Sequence, residues 1–85
     1  MLRIAETTPE PGIVVLALEG SVVGPWVAEL RRLCDCALTT GARLTLDVAR
    51  VEFVDRAGIE LLRHLESRRV ALRNGSAFVT AQLRG

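Results

Sequence analysis

Residues 44–66, LTLDVARVEFVDRAGIELLRHLE, decide the fold of this chain. The stretch begins with alternating apolar and polar residues, which predicts a half-buried strand over Arg43–Val48. Apolar residues then recur at helical spacing, which predicts a helix over Arg56–Ser67. Asp55 stands before this helix, where its carboxylate can accept hydrogen bonds from the first free N–H groups. The helix is expected to bury Gly58, Leu61, Leu62 and Leu65, and the turn before it to bury Val51, Phe53 and Val54.

The residues before this stretch predict a hairpin followed by a helix. Leu2–Glu6 is a short edge strand, and Thr8–Gly12 is a rigid turn because it holds two prolines and a glycine. The continuous apolar run Ile13–Leu18 predicts a strand that is buried on both faces. A loop is expected over Gly20–Gly24, and Pro25 suits the first turn of a helix.

An apolar stripe at three- and four-residue spacing marks that first helix, which Thr39–Ala42 ends. The stripe consists of Trp26, Val27, Leu30, Leu33, Cys34, Ala37 and Leu38. Towards the C-terminus, Val70–Leu72 predicts a brief strand and Asn74–Gly75 a turn, and Ser76 caps a last helix that runs through Leu83. Strands that alternate with helices favour an α/β domain with a mostly parallel sheet and an antiparallel hairpin at its N-terminus.

Composition narrows the function classes. A chain of 85 residues is one small domain with a single core, and its 49% apolar content is that of a globular protein. The net charge of +1 argues against nucleic acid as a partner, because nucleic-acid binders show a clear basic excess. No apolar run approaches the roughly 20 residues of a membrane span, and no secretory signal precedes the first strand. We therefore expect a cytoplasmic protein.

The residue types that carry chemistry are sparse. Cys34 and Cys36 point to different faces of one helix, so we expect two semi-buried thiols in a reducing compartment and no metal site. His64 lies on a helix surface, away from any nucleophile. Asp47 and Asp55 could form an acid–base pair, but they are better suited to ending a strand and capping a helix. We expect neither catalysis nor a cofactor.

The stretch that decides the fold also resembles the signature of the STAS domain, a family named for sulphate transporters and anti-sigma factor antagonists. The family shows an apolar strand ending in Asp-Leu-Ser, then an apolar pair, Asp-Ser-Ser-Gly and an apolar helix. The residues in register here are Asp47, Val51, Phe53, Val54, Asp55, Gly58, Ile59 and Leu62. The run LALEGSVVG and the tail from Val70 extend the resemblance over most of the chain. Family members continue with another strand and helix, so residues 1–85 are expected to be a single STAS-like domain that is short at its C-terminus.

The resemblance implies a protein-binding role without the family's phospho-switch. In anti-sigma factor antagonists, a serine at a helix start is phosphorylated by a partner kinase, and the added charge abolishes binding. That serine falls on Ala57 here, and a loop aspartate used with nucleotide or kinase falls on Val23. The resemblance therefore implies a constitutive antagonist-like module in bacterial-type signalling, with an anti-sigma factor or kinase-like protein as its partner. The predicted partner-binding residues are Gly24, Asp55, Arg56, Ala57, Gly58 and Glu60.

Two other roles stay open at this point. The chain could serve as an accessory subunit of a transporter, or it could sense a small ligand or nucleotide. The loss of polar groups at Val23 and Ala57 weighs against the sensor. An exposed sheet edge after the last strand is a further expected contact, suited to a homodimer.

Overall fold

A computed structural model describes residues 1–84, which form a small α/β domain with helices packed on a mixed sheet. The strand order is β1-β2-β3-β4, with β1 antiparallel to β2 and the other pairs parallel. The predicted hairpin and the predicted parallel pairing of residues 13–18 with 43–48 are both confirmed. In chain order the elements are β1 (Leu2–Glu10), β2 (Ile13–Val22), α1 (Pro25–Thr39), β3 (Arg43–Val54), α2 (Arg56–Ser67), β4 (Ala71–Arg73) and α3 (Ala77–Arg84).

The described helices share one face of the sheet. The crossovers β2–α1–β3 and β3–α2–β4 step in the same direction along the sheet, and right-handed connections then place both helices on the same side. Helix α3 packs against α2 and β3, so it joins the same layer. The core lies between this layer and the sheet, and its largest fully buried side chains are Leu16, Leu18, Leu30, Leu44, Leu46, Leu61, Leu62 and Leu65. No helix within residues 1–84 covers the opposite face.

The hairpin strands are longer than the sequence pattern indicates. Strand β1 continues through Pro9 to Glu10, so the predicted turn over Thr8–Gly12 shrinks to its last two residues. An edge strand tolerates proline because one side of its backbone needs no partner, and the pairing shifts register between Thr7 and Glu10. Strand β2 likewise continues to Val22, which corrects the predicted loop over Gly20–Gly24.

The predicted burial of β2 on both faces is wrong. Leu16 and Leu18 are buried, but Ala17 between them is exposed. The helices cover only one side of the strand, so its other side chains face solvent.

Strand β3 runs on to Val54, so the buried turn predicted after Val48 does not exist. The pairing of β2 with β3 shifts register twice, between Ala17 and Glu19 and between Gly20 and Ser21. Each shift adds one residue to β3, which breaks the simple alternation by which the sequence would show a strand. Phe53 consequently lies 47% exposed, and not in a buried turn.

Helix α2 matches its prediction residue by residue, including its bounds and its four buried positions. Helix α1 begins at Pro25 as expected, but Trp26 is 36% exposed and does not join the core. The last strand begins at Ala71, one residue later than predicted. Ser76 accepts a hydrogen bond from the Val79 N–H at 3.1 Å, which confirms the predicted cap of α3.

The two thiols differ in their surroundings. Cys34 is fully buried in the core, whereas Cys36 two residues later is exposed. Burial, with a smaller contribution from the charge of Asp35, raises the pKa of Cys34 to about 12. Cys34 is therefore a neutral packing residue at physiological pH.

Candidate functional site

One carboxylate joins the starts of two helices. Asp55 Oδ1 accepts a hydrogen bond from the Gly58 N–H at 2.8 Å, in the first turn of α2. Its Oδ2 accepts a hydrogen bond from the Gly24 N–H at 2.9 Å, at the N-cap of α1 and 31 residues away in sequence. The backbone N–H of Asp55 also donates to Val22 O at 3.1 Å, just after the last pair of β2 and β3. Asp55 thus fixes the strand ends and the helix starts to one another.

The two N–H donors define the charge state of this carboxylate. The hydrogen bond from Gly24, followed by that from Gly58, lowers the pKa of Asp55 below its ordinary value. Asp55 is therefore ionised at neutral pH. A negative charge at this point also suits the partial positive charge at the N-terminal ends of both helices.

Gly24 is required by its backbone conformation. Its φ of 53° lies in the left-handed region that favours glycine, although an added Cβ would meet no atom within 4 Å. Among residues 1–84, no side chain at the start of α1 caps that helix, since its N-cap residue is Gly24. Asp55, which directly follows β3, supplies the acceptor instead.

Gly58 lets the start of α2 pack closely against the strand ends. It is buried, and an added Cβ would lie 2.6 Å from Val22 O and 2.6 Å from Val54 Cγ1. Helix α2 therefore rests directly on the ends of β2 and β3. Of the six predicted partner-binding residues, Gly58 is the one that does not reach the surface.

The other five form what we call the helix-start surface: Gly24, Asp55, Arg56, Ala57 and Glu60. Arg56 and Glu60 approach to 3.8 Å with side chains 95% and 69% exposed, an ion pair that contributes little in water. Ala57 is exposed and lies in the chain between Arg56 and Glu60. The surface thus has a base fixed by the hydrogen bonds of Asp55, a small uncharged centre and exposed charged side chains at its rim.

Trp26 was missed as a surface residue by sequence reasoning. Its spacing matches the apolar stripe of α1, but it is 36% exposed, whereas Val27 beside it in the same turn is buried. Its position two residues after Gly24 places a partly exposed tryptophan beside the helix-start surface. Tryptophan is among the residues most enriched where binding energy concentrates in protein interfaces.

Asp47 and Asp55, the candidate acid–base pair, each bind backbone N–H groups at separate places. Asp47 Oδ1 accepts the Ala49 N–H at 3.0 Å, at the first register shift of β3, whereas Asp55 holds the two helix starts. Within residues 1–84 no group of three or more His, Cys, Asp and Glu side chains could hold a metal ion. In the same part of the chain, no helix is long and apolar enough to cross a membrane.

Comparison with known proteins gives a likeness in structure. No protein-family model and no curated protein matches the sequence. Among solved structures, the chain is similar to the anti-sigma factor antagonist SpoIIAA in its unphosphorylated form, with a TM-score of 0.74 and 22% sequence identity. The match covers 96% of this chain and 82% of the antagonist's chain. The STAS-like fold predicted from residues 44–66 is therefore confirmed.

Proposed function

We propose that this chain is a non-catalytic protein-binding module of the anti-sigma factor antagonist kind. Its fold likeness to SpoIIAA supports a regulatory binding role of that general type. The observation that carries the proposal is that the Asp55 carboxylate accepts hydrogen bonds from the N–H groups of Gly24 and Gly58. These bonds hold the starts of α1 and α2 together as one preorganised surface. We place the partner, an anti-sigma factor or kinase-like protein of the cytoplasm, on the helix-start surface.

The chemistry of the surface favours binding over catalysis. Both carboxylate oxygens of Asp55 accept backbone N–H groups, and its lowered pKa makes it a poor base near neutral pH. The lone histidine, His64, is exposed near the end of α2, opposite the helix start. The remaining groups, an arginine, a glutamate and two small residues, are suited to contact with another protein.

Binding at this surface is constitutive in our proposal. Residues 50–66 contain no serine, threonine or tyrosine, so no hydroxyl in α2's first turn can accept a phosphoryl group. Ala57 keeps the centre of the surface permanently in the uncharged state that phosphorylation would remove. The partner can approach closely there because the side chain is a single methyl group.

The test places a negative charge at position 57, where phosphorylation would add one in the family. Ala57→Glu places a carboxylate in the first turn of α2, where helices tolerate acidic residues, so the melting temperature should change little. Affinity for the partner should fall at least about 30-fold, because the new charge loses its water without gaining a counter-ion. The partner is first identified by affinity purification from the source cells with mass spectrometry, and its affinity is then measured by calorimetry.

A matched control separates the surface from the substitution. Ala81→Glu makes the same change at an exposed position of α3, and it should leave affinity unchanged. If Ala57→Glu binds as tightly as Ala81→Glu while both variants stay folded, the helix-start surface is not the interface.

A further inference from the structure

The end of β3 is held by helix α3 and not by a neighbouring strand on the side of β4. Strand β3 has 12 residues, whereas β4 has 3 and pairs with β3 only from Thr45 to Asp47. Helix α3 packs against β3 and α2, and the Gln82 side chain donates to Val54 O, at the last residue of β3. Among residues 1–84, no backbone hydrogen bond joins α3 to β3. The helix can therefore leave the sheet without breaking the pairing of its strands.

Little apolar surface holds α3 in place. Within residues 77–84, Val79 is the one buried residue, and Leu83 is partly buried. Phe78, the largest apolar side chain of this helix, is 53% exposed. Helix α2, in comparison, buries three leucines. Because the free energy of apolar burial scales with the area removed from water, α3 gains less from docking on the sheet than α2 does.

Polar contacts fix the C-terminal end of α3. Arg63 of α2 donates from Nε to Leu83 O at 2.8 Å and from Nη2 to Gln82 O at 3.3 Å, so it caps carbonyl groups at the end of the helix. The side-chain amide of Gln82 donates to Val54 O at 3.4 Å, and its Oε1 is buried without a hydrogen-bond partner among residues 1–84. A buried acceptor without a partner loses the free energy of its hydration. Docking of α3 therefore carries a cost that undocking removes.

Val54 connects this end of α3 to the start of α2. Its carbonyl oxygen accepts the hydrogen bond from Gln82, and its side chain lies against Gly58, where an added Cβ would be 2.6 Å from Val54 Cγ1. Gly58 in turn donates its N–H to Asp55 Oδ1 at 2.8 Å. A continuous series of contacts thus runs from α3 to one of the two hydrogen bonds that fix the helix-start surface.

We propose that α3 is a latch, which opens as a unit while the rest of the domain stays folded, and whose opening loosens the start of α2. Opening breaks the hydrogen bonds of Arg63 and Gln82 with their partners and lets Val54 move, so the N–H of Gly58 is held less tightly. A ligand or modification that favours one state of α3 then also changes the order of the helix-start surface. The inference concerns the chain alone and does not depend on the proposed function.

Amide hydrogen exchange of the complete chain, labelled with ¹⁵N, tests the opening. The protection factors of Val79 and Thr80 should be at least about tenfold lower than that of Leu46 in the sheet. Arg63→Ala should lower both by the same factor, at least about threefold, because the two amides open together. Arg32→Ala, which removes an exposed arginine from an ion pair on α1, should leave them unchanged. Protection of Val79 and Thr80 equal to that of Leu46, the lack of a common response to Arg63→Ala, or an equal effect of Arg32→Ala would overturn the inference.

The same measurement tests the link to the start of α2. Gln82→Ala removes the donor to Val54 O and should lower the protection factor of the Gly58 N–H at least about threefold. The Ala49 N–H is the internal control, because it also donates to an aspartate carboxylate but lies outside the series of contacts. Its protection factor should not change in Gln82→Ala. The inference is overturned if the Gly58 protection factor is unaffected, or if it falls no further than that of Ala49.

Discussion

Helices α2 and α3 are attached to the same sheet in contrasting ways. Four residues of α2 are buried, and its start is tied through Asp55 to an element 31 residues earlier. Among the described residues of α3, Val79 alone is buried, and its cap comes from Ser76 immediately before it. The contrast places the surface proposed to bind the partner on the more deeply buried of the two helices, whose start is held by a long-range hydrogen bond.

The largest effect expected from this contrast concerns two glycines. In Gly58→Ala the new methyl group would lie 2.6 Å from both Val22 O and Val54 Cγ1, so the backbone must move. We expect the free energy of unfolding to fall by about 3 kcal/mol. In Gly75→Ala, before α3, the nearest atom is Thr80 Oγ1 at 3.2 Å, which can rotate away. This variant should stay within about 0.5 kcal/mol of wild type. Urea unfolding followed by circular dichroism measures both, and equal midpoints would remove the contrast.

The caps of the two helices provide a second, smaller test. Asp55→Ala removes acceptors from two helix starts and should lower the melting temperature by about 8 °C. Ser76→Ala removes one local acceptor from a weakly attached helix and should lower it by about 2 °C. Calorimetry gives both values. A larger decrease for Ser76→Ala than for Asp55→Ala would mean that α3, and not α2, supports the fold.

The smallest effect is a dependence on pH. The pKa of Asp55 is lowered in the folded state, so its ionised form stabilises the fold fully above its unfolded pKa of about 3.9. As pH falls below that value the unfolded chain takes up the proton first, and the stabilisation disappears below the folded pKa. The stability difference between wild type and Asp55→Asn should therefore be constant from pH 7 to about 5 and shrink towards pH 3. Urea titrations at those pH values check it, and a difference that widens on acidification would contradict the assigned hydrogen bonds.

Much of the fold could be predicted because its signals are local. The bounds and buried positions of α2 follow from one cap and one apolar period, and Pro25 marks the start of α1. The predicted β3 ends too early because its two register shifts put the buried residues Val48, Val51 and Val54 three residues apart, a spacing that does not indicate a strand. A local pattern could not reveal these shifts, since they depend on pairing with β2.

The meeting of the two helix starts could be predicted from the sequence, but the contact that joins them could not. The residues at the two helix starts were expected to meet, and the hydrogen bond from Gly24 to Asp55 shows how they do. Sequence reasoning could not supply that bond, because it joins residues brought together only by the parallel pairing of β2 and β3. The exposure of Trp26 and the bare sheet face depend on which side the helices occupy, which no single segment records. That a partner contacts these residues stays a prediction.

The shared carboxylate of Asp55 also has an evolutionary consequence. Most helices need a capping side chain of their own at the start, and this need restricts which residues can be selected there. Here the acceptor comes from Asp55, so the N-cap position of α1 is relieved of that duty and can be Gly24, whose backbone turns the chain with a φ of 53°. The turn between β2 and α1 therefore needs no side chain of its own at the helix start. A change at Asp55, in contrast, is a change to both helices at once.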